Sequence, residues 1–367
     1  MQFGASKDNL LAALSRVGKI IKWNPRSVPI RQCVKIESYG NNLFVVATST
    51  MANARVQVEG AVISDPGEPF VVNYDKFKDR VSKAGDVLAI VTDGGSMQIL
   101  SSSDQKLGLT LSDIREFPET QWEEPEESYG LDKSKFATAL TTSGSMSSSS
   151  SLTPALLQVS IKDQTVTSGN RVAYQILPMQ CNPELRSTIP TSTIPALVTF
   201  ISESAGDQVW LSQAGGENVV VSVGLDQFQT QPLAIEFPDV QSVFDSARVV
   251  TQYECTVDRK ALIKELAKAQ TSTDSKGTLN LKISGKVAAK IEVSAASAGD
   301  WYEGVVPCIW TGPEKSMTFA VEDLIKFLRA FDEDEIVLRM GDDFKGNPSP
   351  VYCKEGEHEA ILNQLRS

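Results

Sequence analysis

Lys260, Lys264 and Lys268 recur at i, i+4 and i+8, so a helix over 258–270 carries three ammonium groups on one side, with Leu262 and Leu266 on another. A stripe of this kind can hold phosphate oxygens without reading bases, although on one helix alone it is usually just a solvated face. Lys76, Arg80 and Lys83 repeat the arrangement around Phe77 and Val81, and the opening segment adds Lys7, Arg16, Lys19, Lys22 and Arg26. Lys326 and Arg329 extend the series near the C-terminus, while the middle of the chain contributes only Lys133 and Lys135. Repetition on equivalent helices is what favours a phosphate-binding face, since the net charge of −11 otherwise discourages contact with nucleic acid.

Other chemistry is poorly supplied. The single histidine, His358, stands among Glu355, Glu357 and Glu359 with no nucleophile or second imidazole beside it, and reads as a surface residue. The acidic runs FDEDE at 331–335 and GDD at 341–343 read as solvated turns, not as a metal site. No phosphate-binding glycine loop, zinc-protease helix or serine elbow occurs, so no catalytic residue, cofactor or metal is expected and the protein is not expected to be an enzyme. Cysteines 33, 181, 255, 308 and 353 are odd in number and scattered, which suits inert thiols in a reducing cytoplasm. Neither an export signal nor an apolar run long enough to cross a bilayer is present, so no membrane role is expected.

The elements that must position the basic residues recur with a period of about 120. Phe117-Pro118 and Phe237-Pro238 are one such pair, and each third opens with a strand followed by an amphipathic helix, at residues 3, 129 and 253. Ser6, Asp132 and Asp258 occupy the N-cap positions of those helices. Second helices are expected at 74–83, 191–203 and 321–331, with β-patterned segments between. The hairpin signals are Asp93-Gly94-Gly95 and the glycine pair in 214–218. The reading is α+β, in three domains at 1–122, 128–246 and 252–367, each with two helices on curved antiparallel sheet. The acidic stretch 118–128 and residues 245–252 are taken as linkers, and the serine-rich 141–151 as a mobile loop.

Residues 166–175, VTSGNRVAYQ, then stand out: a strand breaks at Gly169 and sets Asn170 and Arg171 at the tip of a turn. The segment Thr167-Ser168-Gly169-Asn170-Arg171-Val172-Ala173, the Phe237-Pro238-Asp239 phrase and the three repeats together resemble the bacterial DNA polymerase III beta sliding clamp over essentially the whole chain. The resemblance implies a head-to-tail homodimeric ring of six similar domains, with helices lining a hole through which double-stranded DNA threads independently of its sequence. Its partners would be a replicative DNA polymerase, a clamp loader and other proteins bearing a clamp-binding motif. The 166–175 turn would form one wall of a pocket for a short hydrophobic peptide, comprising Leu152, Thr167, Gly169, Asn170, Arg171, Val172, Pro238, Val243, Asp323, Ser349, Pro350, Val351, Ile361, Leu362, Asn363, Gln364, Leu365 and Arg366. Leu107 and Leu109 on a first-domain edge strand, and Gln270 in the third domain, would lie at the dimer interface.

The sequence departs from this family pattern in the tail, where Asn363 and Gln364 replace apolar residues, at Asp323, where an aromatic is common, and at Gln270, where an apolar residue is common. A modified partner peptide, a phage-encoded or otherwise divergent replication system and a more readily opened ring are the corresponding expectations. A clamp-derived scaffold or decoy that binds replication proteins without enclosing DNA is the alternative. A trimeric ring of two-domain subunits does not suit three repeats.

Overall fold

The computed structural model describes residues 1–22, 28–102, 105–120, 122, 128–214, 218–285, 288–342 and 348–365, the side chains of Lys22 and Ala214 excepted. Arg26, Arg366, most of the 118–128 stretch, the glycine pair of 214–218 and Asp343 therefore lie outside the described residues. The chain divides into two compact units, Met1–Thr141 with Ser187–Leu233, and Thr142–Arg186 with Ala234–Ser367.

In the first unit, strand Gln2–Ser6 runs into helix α1 (Lys7–Lys22). The Asn9 amide donates to Ser6 Oγ at 3.2 Å, so the expected cap is made. Leu10, Ala13, Leu14, Val17, Ile20 and Ile21 follow at helical spacing and are all buried. Gly18 is required by packing, because a Cβ there would lie 2.1 Å from the Tyr74 hydroxyl on helix α2 (Tyr74–Lys83). Two antiparallel sheets complete the unit. One is five-stranded, in the order Val62–Asp65, Gln2–Ser6, Val87–Asp93, Ser96–Ser101, Lys106–Thr110. The other is eight-stranded, in the order Ser128–Asp132, Gln208–Ala214, Asn218–Val223, Asp226–Thr230, Ala52–Gln57, Asn42–Thr48, Cys33–Tyr39, Phe70–Asn73. Asp93-Gly94-Gly95 turns a hairpin, with both glycines at positive φ.

Helix α3 (Lys133–Met146) opens on an Asp132 cap, Lys135 N–H donating to Oδ1 at 2.8 Å. Its last turn corrects the reading of 141–151 as a mobile loop. Serine and threonine hydroxyls there bond back along the chain, Thr141 to the Ala137 carbonyl at 2.8 Å and Ser147 to that of Ser143 at 2.9 Å. Past the helix end, the Ser148 hydroxyl meets that of Thr153 at 3.0 Å, which holds the 148–153 turn. Helix α4 (Ile194–Glu203), preceded by a short 3₁₀ turn over Thr191–Thr193, buries Leu197, Phe200 and Ile201.

The second unit carries helices α5 (Gln241–Val250), α6 (Arg259–Ala269) and α7 (Val321–Arg329). Residues 245–252 are thus mostly helix and not a linker: Asp239 Oδ1 accepts the Gln241 amide at 2.9 Å, and Phe244 and Ala247, three apart, are buried. Helix α6 is built from strong helix formers and capped by Asp258, whose Oδ1 accepts the Ala261 amide at 2.7 Å. Leu262 and Leu266 of α6 and Leu324, Phe327 and Leu328 of α7 enter one core with the alternating residues Leu279, Leu281 and Ile283 of a strand. Each such side chain contributes roughly 1.5–3 kcal/mol on burial. The antiparallel strand order here includes Gln158–Lys162, Thr165–Gly169, Ala173–Pro178, His358–Leu362, Val351–Glu355, Glu335–Met340, Tyr253–Asp258, Trp301–Trp310, Lys290–Ala296, Thr278–Ser284 and Lys315–Ala320.

Candidate partner groove, basic faces and open strand edges

The hairpin at 165–178 brings the groove residues into register. Gly169 faces Tyr174 across it, and a Cβ on Gly169 would lie 2.3 Å from the Tyr174 ring and 2.7 Å from the Ala173 carbonyl, so glycine is needed. Asn170 organises the tip. Its Oδ1 accepts the amides of Val172 and Ala173 at 2.7 and 2.8 Å, leaving Arg171 exposed at the apex. The tail closes the other side: Ala173 pairs with Leu362, and the Asn363 amide donates to the Val172 carbonyl at 2.8 Å.

Several expected groove residues turn out to be tied to one another or to the backbone. Asn170 Nδ2 donates to Asp323 Oδ1 at 3.2 Å, which gives the carboxylate at 323 a structural partner. Gln364 Nε2 donates to the Ser349 carbonyl at 2.6 Å, while the Leu365 amide reaches Thr318. Val351 faces Leu362 in the neighbouring pair, with Pro350 half-buried before it. Leu152 is 80% exposed and Val243 of α5 is 38% exposed, while Phe237 is half-buried and Pro238 exposed. Thr167 lies on the hairpin opposite Ile176. The expected Ile361 belongs to a floor whose other members, Val240, Phe244 and Tyr352, were not expected from the sequence, with Tyr174 and Ile176 packed against it. Period-two alternation in AYQI places Tyr174 and Ile176 on one face and was the available signal.

The basic residues divide by environment. Lys19, Lys76, Arg80, Lys135, Lys264 and Arg329 are exposed, and Lys326 is half-buried. Lys83, Lys260 and Lys268 are exposed but paired, with Asp79 (2.8 Å), Asp334 (2.6 Å) and Glu265 (2.5 Å). Lys7 and Lys133 donate to backbone carbonyls of Ala84 and Ser204 at 3.1 and 2.5 Å. Arg16 corrects the expected stripe on α1: it is buried and ion-paired to Asp226, so it cannot meet a polyanion. Asp226 also accepts the Gln57 amide at 2.7 Å and the Ser204 hydroxyl at 3.1 Å, and burial pushes its carboxyl up against the pull of Arg16.

His358 is also corrected. It stacks on Phe331 with ring centroids 4.5 Å apart, and burial pushes the imidazole down to about 4. Cys255 and Cys353 are buried thiols whose pKa values burial raises, Cys353 to about 12, as inert thiols require. Among the described residues no cluster of metal-ligating side chains occurs, and no helix is long and apolar enough to cross a membrane.

One pairing rule recurs. The last strand of the second repeat, Asp226–Thr230, pairs with Ala52–Gln57 of the first; the last strand of the third, His358–Leu362, pairs with Ala173–Pro178 of the second. The last strand of the first repeat, Lys106–Thr110, ends its sheet. In the third repeat, residues 301–306 occupy the position of Ala52–Gln57 and pair only with Lys290–Ala296 along that stretch. Among the described residues both edges lack a strand partner. Leu107 and Leu109 are half-buried on the first edge, Trp301 is 71% exposed on the second, and Gln270 is exposed at the end of α6.

No protein-family model matches the sequence, and no curated protein matches it. Solved structures match it throughout in shape, and the architecture is that of the sliding clamps. More narrowly, it is the fold of DNA polymerase III beta subunits. That of Pseudomonas aeruginosa is 16% identical with a TM-score of 0.84, covering 100% of both chains. That of Thermotoga maritima is 15% identical with a TM-score of 0.86, covering 100% of this chain and 99% of its own. A sliding clamp from Bartonella birtlesii, solved bound to griselimycin, is 17% identical with a TM-score of 0.85 and covers 100% of both.

Proposed function

We propose that the protein is a non-catalytic DNA sliding clamp, which closes head to tail with a second copy around duplex DNA and tethers replication proteins through the groove of the second unit. The observation that carries this reading is the pair of open edges. A rule that joins the first repeat to the second, and the second to the third, leaves one donor edge and one acceptor edge over, and two copies satisfy both without any new contact type. Strand addition of Lys106–Thr110 to residues 301–306 of a second copy closes a ring of six repeats, with Leu107 and Leu109 entering the seam. Exposed Lys19, Lys76, Arg80, Lys135 and Lys264 then supply salt-sensitive attraction to phosphates.

The groove supports capture of a short extended peptide: Tyr174, Val243 and Leu152 offer apolar contact over the buried Phe244 and Tyr352, and the exposed Arg171 and the Asn170 turn orient it. The B. birtlesii clamp holds griselimycin, which supports a ligand-binding role for this fold. A cytoplasmic replication system, with a polymerase and a loader as partners, is the setting this implies.

The decisive experiment loads the protein onto nicked circular DNA with a clamp loader. Retention through gel filtration that disappears on linearisation is expected; equal retention on both, or on neither, overturns the enclosing ring. A scaffold that binds replication proteins without surrounding DNA is favoured by the burial of Arg16 and by the acidic partners of Lys83, Lys260 and Lys268. Peptide binding without retention on circles is its signature.

A further inference from the structure

The first unit contains a cleft of about 470 Å³ over the Ala52–Gln57/Asp226–Thr230 pairing, and its chemistry differs from that of the groove in the second unit. Arg55 stands at its centre. The guanidinium lies between two rings, 5.0 Å from the centroid of Phe44 and 5.0 Å from that of Trp122. Among the described residues its hydrogen bond is a long one, from Nη2 to Gln227 Oε1 at 3.4 Å, and its Nε is buried with no acceptor. The indole N–H of Trp122 is likewise buried without a partner among the described residues. The nearest carboxylates in the lining are engaged elsewhere, Glu37 with Lys35 at 2.6 Å and Asp226 with Arg16. The rim is apolar and solvent-facing: Tyr39 is 71% exposed and Leu225 is 52% exposed.

A half-buried cation that makes no ion pair among the described residues, with only the through-space pull of Glu37 and beside a second donor lacking an acceptor there, is costly unless an acceptor arrives. We infer that this cleft is a second peptide site, which takes an extended segment whose single carboxylate side chain is received by Arg55 while a neighbouring apolar side chain rests on Tyr39 and Leu225. Charge complementarity selects this occupant. Glu37 and Asp226 in the lining oppose a polyphosphate, but leave one carboxylate on an otherwise apolar ligand favoured. The position also favours a peptide. At the equivalent place in the second unit, Ile176 and Glu359 are opposite each other beneath the side chains of α5, whereas Arg55 and Gln227 face the open cleft. The site is independent of ring closure and stands or falls separately from the clamp reading.

The test is titration of the full-length protein with acetyl-Leu-Asp-Leu-amide, followed by the Trp122 indole N–H resonance, assigned from Trp122→Phe. A saturable shift is expected, at least tenfold weaker with acetyl-Leu-Asn-Leu-amide and in Arg55→Gln. Arg55→Lys, which keeps the charge and loses the fork, should fall between. The Asp-to-Asn comparison uses the unaltered protein and remains decisive if an Arg55 variant misfolds. An indole resonance unmoved at millimolar peptide, equal affinity for both peptides, or an equal shift with inorganic phosphate overturns the proposal.

Discussion

The two strand junctions share a frame and differ in surface. At the first, Ala52 pairs with Thr230, the Ser49 amide donates to the Ala52 carbonyl at 2.8 Å, and the Ser49 hydroxyl accepts the amides of Met51 and Ala52 at 3.3 and 3.0 Å. At the second, Ala173 pairs with Leu362, the Asn170 amide donates to the Ala173 carbonyl at 2.8 Å, and Asn170 Oδ1 accepts the corresponding two amides. Outward from these turns the first junction presents Asn53, Arg55, Gln227 and Gln229, the second Tyr174, Ile176 and Ile361 against α5. A short polar side chain that satisfies two turn amides is enough to fix the backbone, so the outward-facing residues are free to specialise.

The largest effect should come from breaking the first junction at its buried ion pair. Arg16→Met leaves the Asp226 carboxylate buried without its cation and should cost about 3–5 kcal/mol, read as a loss of melting temperature. Arg16→Met with Asp226→Leu should recover much of that loss, since a matched apolar pair leaves no stranded charge. If the single variant melts like the parent, Arg16 is not the clasp of this junction.

The second junction begins, at the position equivalent to Asp226, with His358. Its folded pKa of about 4 lies below the ordinary 6.5, so the unfolded chain binds the extra proton first. Stability contributed by the neutral imidazole is therefore full above pH 6.5 and falls as pH drops towards 4, by about 2–3 kcal/mol in all. His358→Phe should flatten that acid limb in urea titrations at successive pH values. An unchanged limb would assign acid sensitivity to other groups.

Much of this frame was legible locally. Ser6, Asp132 and Asp258 cap their helices because a cap is a contact across three residues. Helix α2 and the 166–175 hairpin follow from period and turn chemistry in the same way. The errors are at positions governed by distant partners or by weak local signals. Arg16 sits on a helix of basic pattern, but its burial is set by an aspartate 210 residues away. His358 is surrounded by glutamates in sequence and by Phe331 in space. Residues 245–252 read as a linker because DSARVV is polar and β-branched, and the packing of Phe244 and Ala247 with Tyr352 places most of them in helix α5. In the groove, Asp323 departs from the family pattern for no visible local reason, and it is bonded to Asn170, 153 residues away in sequence.

That bond sets the finest test of the comparison. Ser49→Ala removes one oxygen that serves two exposed-side turn amides, and should cost about 1 kcal/mol in the first junction. Asn170→Ala removes the same service in the second and also strands Asp323, so it should cost about 2 kcal/mol. Asn170→Ser transplants the chemistry of the first turn into the second; it should restore the amide bonds without the contact to Asp323 and fall midway. Thermal melts of the three variants give the order. Because Asn170 orients the groove tip while Ser49 does not, only the Asn170 variants should also weaken a clamp-binding peptide, by a few-fold. Equal losses of peptide affinity in Ser49→Ala would mean that the two turns are coupled and that the surfaces have not specialised independently.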